Sequence, residues 1–176
     1  MKIIEYLKSN IDDIQTLVEN LDPSQYTQKL EVLSGVSVGS HVRHILEFYL
    51  AIFKTSQLEI CYDDRGRDIR IETDTVFAIL IVRQIRGSLN NITSDMPMIL
   101  KASFSIESDE PIEFGTSLFR ELVYVLEHSI HHLAIIKIGM KYLGIKEELI
   151  RNFGLAPATI RRQVIDILNK LPKPVL

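Results

Sequence analysis

The sequence has a single cysteine, Cys61, and no tryptophan among its 176 residues. One cysteine excludes an internal disulfide and any zinc site built from several cysteines. No apolar stretch approaches the roughly 20 residues that a membrane-spanning helix needs. The charged beginning of the chain also lacks the long apolar run of a secretory signal peptide. From these absences we expect a cytoplasmic protein without a membrane partner.

The sequence also lacks a large excess of acidic or of basic residues. The formal net charge is −3, and the densest charged segment, residues 63–70, mixes acidic and basic side chains. Such a segment does not resemble the basic patch that binds a phosphate backbone, so no nucleic-acid partner is expected. The chain is 46% hydrophobic and 24% charged, which is the balance of an ordinary globular protein. Its length predicts one domain over residues 1–176.

Helical periodicity runs through most of the chain, with apolar residues at steps of three and four. Long helices are predicted over residues 3–21, 38–53, 76–89 and 118–143. Their expected N-terminal caps are Ser37 for the second, Thr73 or Asp74 for the third, and Thr116 or Ser117 for the fourth. Shorter helices are predicted over residues 146–152 and from Pro157 to Leu171, and loops over residues 24–35 and 62–72.

Residues 100–107 break this periodicity because apolar and polar side chains alternate there, which predicts a strand. Turn residues follow at 108–111, and residues 112–114 are expected to return as a second strand. The predicted fold is therefore mainly all-α. It is a four-helix bundle with a small β-hairpin insertion before the last long helix and with short C-terminal helices.

All five histidines fall on two of the predicted helices. His128 and His132 are four residues apart on the fourth helix, so their imidazoles share one face. Either His41 or His44 of the second helix would complete a set of three nitrogen ligands, which is typical of an open site for zinc or a similar ion. The same spacing also fits histidines that make ordinary hydrogen bonds. No His-Glu-x-x-His, Glu-x-x-His or Gly-x-Ser-x-Gly pattern accompanies these histidines.

Two segments carry a resemblance to a known family. The segments are SVGSHVRH at residues 37–44 and HSIHH at residues 128–132. Together they resemble the motifs of the DinB-like (DinB/YfiT) superfamily of metal-binding four-helix-bundle proteins, over about residues 1–144. The resemblance implies that His44, His128 and His132 are the metal ligands and that His41 and His131 are dispensable. The chain departs from the family after the last ligand, where residues 133–135 read Leu-Ala-Ile in place of the Arg-Gly-Gln of many members.

The resemblance also implies a class of activity. It implies a divalent metal ion, zinc or nickel, and a small-molecule substrate, in members that include transferases acting on a low-molecular-weight thiol. The same kind of site could hydrolyse a small substrate, and the sequence does not choose between a thiol-dependent S-transferase and a hydrolase. The alternative is a non-catalytic helical-bundle binding protein with a structural or vestigial metal site.

Further candidates surround the histidine motifs. They are Glu47, Arg65, Arg67, Arg70 and Tyr124. Glu47 follows His44 on the same helix face. Its carboxylate could accept a hydrogen bond from an imidazole N–H, or Glu47 could be a surface glutamate. Tyr124 lies one turn before His128, where it could contact substrate or simply pack between helices. The three arginines could bind an anionic substrate, or pair with the aspartates of their own segment.

Residues 77–82 are apolar on more than one side of the third predicted helix. A helix that is apolar all round is buried by more than one neighbour. We therefore expect the chain to form a homodimer.

Overall fold

The computed structural model describes residues 1–54, 58–107 and 110–170, which are mainly α-helical and carry two small sheets. The helices are α1 (Lys2–Glu19), α2 (Pro23–Thr27), α3 (Val38–Lys54), α4 (Ile69–Thr73), α5 (Thr75–Asn90), α6 (Leu118–Tyr142), α7 (Glu147–Ile150) and α8 (Pro157–Lys170). The strands are β1 (Lys29–Leu30), β2 (Val36–Ser37), β3 (Glu59–Cys61), β4 (Pro97–Ala102) and β5 (Ile112–Ser117). Among the described helices, none has both the length and the apolar character that crossing a membrane requires.

The four long helices contribute to one hydrophobic core. Helix α1 packs against α5 and α6, and α3 packs against the same two helices. Each of them directs one apolar face inward, as α1 does with Leu7, Ile11 and Ile14, which are fully buried. Burying a side chain of this size contributes about 1.5–3 kcal/mol relative to leaving it exposed. This shared core fixes α3 directly beside α6.

The helix caps follow the predicted polar residues closely. Ser37 Oγ accepts the backbone N–H of Ser40 at 3.0 Å at the start of α3. Asp74, rather than Thr73, caps α5 by accepting the N–H groups of its first turn. Ser117 caps α6, while the hydroxyl of the neighbouring Thr116 donates to the carboxylate of Glu121. The beginnings of the three helices are therefore set by local side-chain chemistry that can be read from the sequence.

The loops predicted over residues 24–35 and 62–72 contain regular structure, and the prediction was wrong there. The first includes most of α2, the strand β1 and a short 3-10 helix (Glu31–Leu33), and β1 pairs antiparallel with β2, which begins directly after the predicted loop. The second includes most of α4, whose first turn is capped by Asp68. Elements of two to five residues are too short to produce a visible hydrophobic period, which is why the sequence did not reveal them.

The predicted hairpin is present with shifted ends. Strands β4 and β5 pair antiparallel, with Leu100 opposite Phe114, but β4 begins at Pro97 and ends at Ala102. Strand β3 adds to the same sheet in parallel with β4, a non-local pairing that no local pattern predicts. Residues 108 and 109 of the predicted turn, and residue 171 at the predicted end of the last helix, lie outside the described residues.

Gly39 lies where the first turn of α3 closely approaches α4. A β-carbon at Gly39 would meet the backbone carbonyl of Glu72 and the ring of Tyr26. That ring is itself fixed, because the Tyr26 hydroxyl donates to the carbonyl of Ile71 at 2.7 Å. The absence of a side chain at Gly39 therefore lets the first turn of α3 pack directly on backbone.

We expect Gly39→Ala to lower the free energy of unfolding by about 1–3 kcal/mol, because a methyl group there overpacks against backbone that cannot move aside. The matched control is Gly87→Ala on α5, where an added β-carbon meets nothing within 4 Å. That change should raise stability by about 0.5–1 kcal/mol, since alanine favours the helix. Urea unfolding of both variants checks the expectation, and shifts of the same sign would contradict it.

Candidate metal centre

Three histidines meet where α3 packs against α6. The Nε2 atoms of His44 and His128 lie 2.9 Å apart. The ring centroid of His132 lies 4.5 Å from that of His44 and 4.6 Å from that of His128. One ring nitrogen from each of the three lies within 4.8 Å of the other two. The structure therefore brings together the three residues that the sequence motifs selected.

The arrangement fits a divalent ion. Imidazole nitrogens suit zinc, nickel and copper. Two nitrogens that share one tetrahedral zinc ion at ~2.0–2.1 Å lie about 3.3 Å apart, so the pair at 2.9 Å needs only a small separation. Ligation of an ion by these residues stays a prediction.

Burial keeps the imidazoles of the cluster neutral. It lowers the pKa of His132 to about 3, with the neighbouring His44 and His128 adding to the effect. Burial likewise lowers the pKa of His44 to about 4, helped by His128 and Arg65. The pKa of His128 is lowered by burial first and then by His131 and Arg65. Because only neutral imidazole binds a metal ion, the rings are in the competent protonation state at neutral pH.

The two remaining histidines occupy different environments. His131 is exposed and meets His132 only edge-on, with ring centroids 5.6 Å apart. His41 is half-buried, and its Nδ1 lies 3.0 Å from Nδ1 of His132. The sequence predicted that His41 and His131 are equally dispensable, and it did not predict the contact between His41 and His132. Its only signal in the sequence was that His41 precedes His44 by three residues, close to the same helix face.

An aromatic wall lines one side of the cluster. The ring of Phe48 stacks on His128 with centroids 4.2 Å apart, and the ring of Tyr62 stacks on Phe48 with centroids 4.8 Å apart. The candidate Tyr124 also stacks on His128, at 5.9 Å. The Tyr62 hydroxyl donates to the buried carboxylate of Glu121 at 2.8 Å, which holds the ring in place. Phe48 lies one turn after His44 on α3, and helical spacing already places the two rings together, 4.8 Å apart. Tyr62 and Glu121 were missed in the sequence because only the tertiary structure brings them to the site.

Arg65 contacts this wall at Phe48, and Glu47 lies next to Arg65. Glu47 is only 3% exposed, and its carboxylate lies 3.9 Å from Arg43 Nε and 3.8 Å from Arg65 Nε. Burial raises the pKa of Glu47, while the charge of Arg43 opposes that rise. The guanidinium of Arg65 lies over the Phe48 ring, 5.4 Å from its centroid. The structure thus pairs Glu47 with arginines rather than with an imidazole.

The other two candidate arginines are placed differently. Arg70 makes a two-point salt bridge with Asp68, with Nη2 2.6 Å from Oδ2, as expected for pairing within the segment. Arg67 is exposed. A cavity of about 600 Å³ has Glu47, Arg65 and Arg70 among its lining residues, but none of the five histidines lines it. Arg65 is therefore the arginine shared by the cavity and the surroundings of the histidines.

The chain matches no protein-family model and no solved structure. It is similar to FK506-binding protein 5 of Rhizopus delemar, with 34% identity over 103 residues. The match covers 57% of this chain and 26% of that relative, so the chain spans about a quarter of the relative's length.

We expect the metal-free protein to lose stability as the pH falls below about 6.5. The folded pKa values of His44 and His132, about 4 and about 3, lie below the ordinary value of 6.5. Between these values the unfolded chain binds more protons than the folded chain, so the free energy of unfolding decreases with decreasing pH. The contribution of the neutral imidazoles to the free energy of unfolding is fully present above pH 6.5 and is lost progressively as the pH falls to about 3.

Urea unfolding of the metal-free protein between about pH 8 and pH 4 measures the effect. His132→Gln should make the profile less steep, because one titrating ring is removed. His131→Gln is the comparison variant, and its profile should change less than that of His132→Gln, because burial, the largest cause of the lowered pKa values of His128 and His132, is left in place. Parallel profiles for His132→Gln and the unchanged protein would contradict the assignment.

Proposed function

We propose that this chain is a DinB-like protein in which His44, His128 and His132 hold one divalent ion, zinc or nickel, in a site for a small-molecule substrate. The observation that carries the proposal is the convergence of three imidazoles, from two helices distant in sequence, within 4.8 Å. Their lowered pKa values support it, because they keep the lone pairs available. The mutual packing of α1, α3, α5 and α6 supports a four-helix bundle as the fold. A cytoplasmic location stays a prediction.

When bound, the ion would lower the pKa of a coordinated thiol or water and supply an anionic nucleophile at neutral pH. The residues around the cluster have separate tasks. Phe48 and Tyr124 cover the His128 ring and limit the access of water from that side. Arg65 places a positive charge beside the wall, where it attracts and orients an anionic group. This set serves a transferase that uses a low-molecular-weight thiol and a small-molecule hydrolase equally well.

A non-catalytic binding protein is the second candidate, and one observation favours it. The histidines are already close enough to pair without an ion, His44 with His128 at 2.9 Å and His41 with His132 at 3.0 Å. Hydrogen-bonded imidazole pairs would satisfy most of the buried nitrogens by themselves. In that case the cluster is structural or vestigial, and the cavity lined by Glu47 and Arg65 is the binding feature.

Elemental analysis of protein purified without a histidine tag separates these candidates. We expect about one divalent ion per chain, and alanine at His44, His128 or His132 should abolish binding because an open site needs all three ligands. His131→Ala is the matched control and should retain the ion. Loss of the ion in His41→Ala together with its retention in His44→Ala would show that the wrong histidine of α3 was chosen.

The role of the arginines is tested by measuring kcat and KM in a reaction identified with a panel of electrophiles and thiols. Arg65→Ala should leave metal content and kcat unchanged and raise KM by about tenfold, because it removes ground-state binding of an anion. Arg67→Ala should raise KM as well, and by less, since Arg67 is exposed. Arg70→Ala is the control, because Asp68 already neutralises that guanidinium. An unchanged KM with a lowered melting temperature in Arg65→Ala would assign Arg65 to holding its segment in place.

The surface of α5 supports a homodimer as part of the proposal. Val76 is 72% exposed and Leu80 is 54% exposed, while Ala78 and Val82 of the same helix are fully buried. Covering the two exposed side chains with a second copy would remove apolar area from water. Light scattering at micromolar concentration should give about twice the 20.2 kDa of one chain. A mass near that of one chain would exclude the dimer.

A further inference from the structure

His41 makes a contact that the proposed ligand set does not use. It lies one turn before His44 on α3, and its Nδ1 lies 3.0 Å from Nδ1 of His132. Its other ring nitrogen, Nε2, is buried and has no hydrogen-bond partner among the described residues. The Nδ1 contact is therefore what ties this imidazole to the cluster.

Two neutral imidazoles that face each other through Nδ1 make a hydrogen bond in one of two ways. If His41 donates, His132 accepts at Nδ1 and carries its own proton on Nε2, which then cannot bind an ion. If His132 donates from Nδ1, its Nε2 keeps the lone pair and is ready to bind. The direction of this one hydrogen bond thus decides whether Nε2 of His132 can be a ligand atom.

We propose that His41 is a positioning residue of the metal centre, which accepts the Nδ1–H of His132 and so fixes Nε2 of His132 as the ligand atom. This inference rests on the proposed metal function. A metal-bound histidine commonly gives its other N–H to a carboxylate or a carbonyl. Glu47, the nearest candidate carboxylate in the sequence, is engaged with Arg43 and Arg65. His41 supplies the acceptor instead, from the turn of α3 that precedes His44.

Zinc affinity measured by competition with a chelator, on untagged full-length protein, tests the role. His41→Ala should weaken zinc binding by about 10- to 100-fold at unchanged stoichiometry. His41→Asn should recover most of the affinity, because its side-chain oxygen can accept the same N–H. His131→Ala, which removes the other neighbouring imidazole, should bind as tightly as the unchanged protein. Equal affinity in His41→Ala, or no recovery in His41→Asn, would overturn the proposal.

Two spectroscopic readouts separate a positioning role from direct ligation. The visible absorption of the cobalt-loaded protein should keep its band positions and intensities in His41→Ala, because the three ligands remain. Nitrogen NMR of the zinc-loaded protein should place the proton of His132 on Nδ1. A changed cobalt spectrum, which would make His41 itself a ligand, or a proton on Nε2 of His132, would overturn the inference.

The outcomes also distinguish this inference from the proposed function. Failure of the unchanged protein to bind zinc, nickel or cobalt would end both. Metal binding that is lost in His44→Ala and unaffected in His41→Ala would leave the metal function intact and remove only the role of His41.

Discussion

The packing of α3 against α6 is the contact on which the site depends. His44 and His128 lie more than eighty residues apart in the chain, and only this contact brings their Nε2 atoms to 2.9 Å. Fully buried apolar side chains on both helices, such as Val42 and Ile45 on α3 and Val125 and Ile136 on α6, belong to the core in which the two helices pack. The favourable free energy of apolar burial therefore offsets the cost of desolvating the imidazoles, because a shared apolar core holds these polar residues at its edge.

The electrostatics of the site follow from its partial burial. Desolvation is the largest cause of the lowered pKa of each of the histidines 41, 44, 128 and 132. Mutual repulsion and the charge of Arg65 act in the same direction on His44. A cationic imidazolium is thus disfavoured there, and neutral rings in a small space can stabilise one another in two ways, by hydrogen bonding in pairs or by sharing a cation. The same geometry underlies both of the candidate functions.

The segment after the last histidine has a packing explanation. Residues 133–135 differ from the polar residues that the DinB-like resemblance implies at this point. Leu133 is buried in the core, and a β-carbon at Gly154 would collide with the backbone of Ala134. Gly154 has φ of +69°, a conformation that glycine adopts without strain. The C-terminal segment therefore packs on α6 at Ala134, two residues after His132, where the small side chain of Ala134 allows the close approach of Gly154.

The sequence by itself determined the long helices, the presence of a hairpin and the histidines at helical spacing, because each of these depends on residues within a few positions of one another. It identified the cap of α3 and narrowed the caps of α5 and α6 to two neighbouring residues each. It could not determine the parallel addition of β3 to β4, the aromatic wall of Phe48 and Tyr62, or the engagement of Glu47 by arginines. Those features join residues that are distant in the chain, and side-chain direction at such contacts is set by packing rather than by spacing. His41 illustrates the division: its position on the helix was evident from the sequence, and its partner, His132 on another helix, was decided only by the tertiary structure.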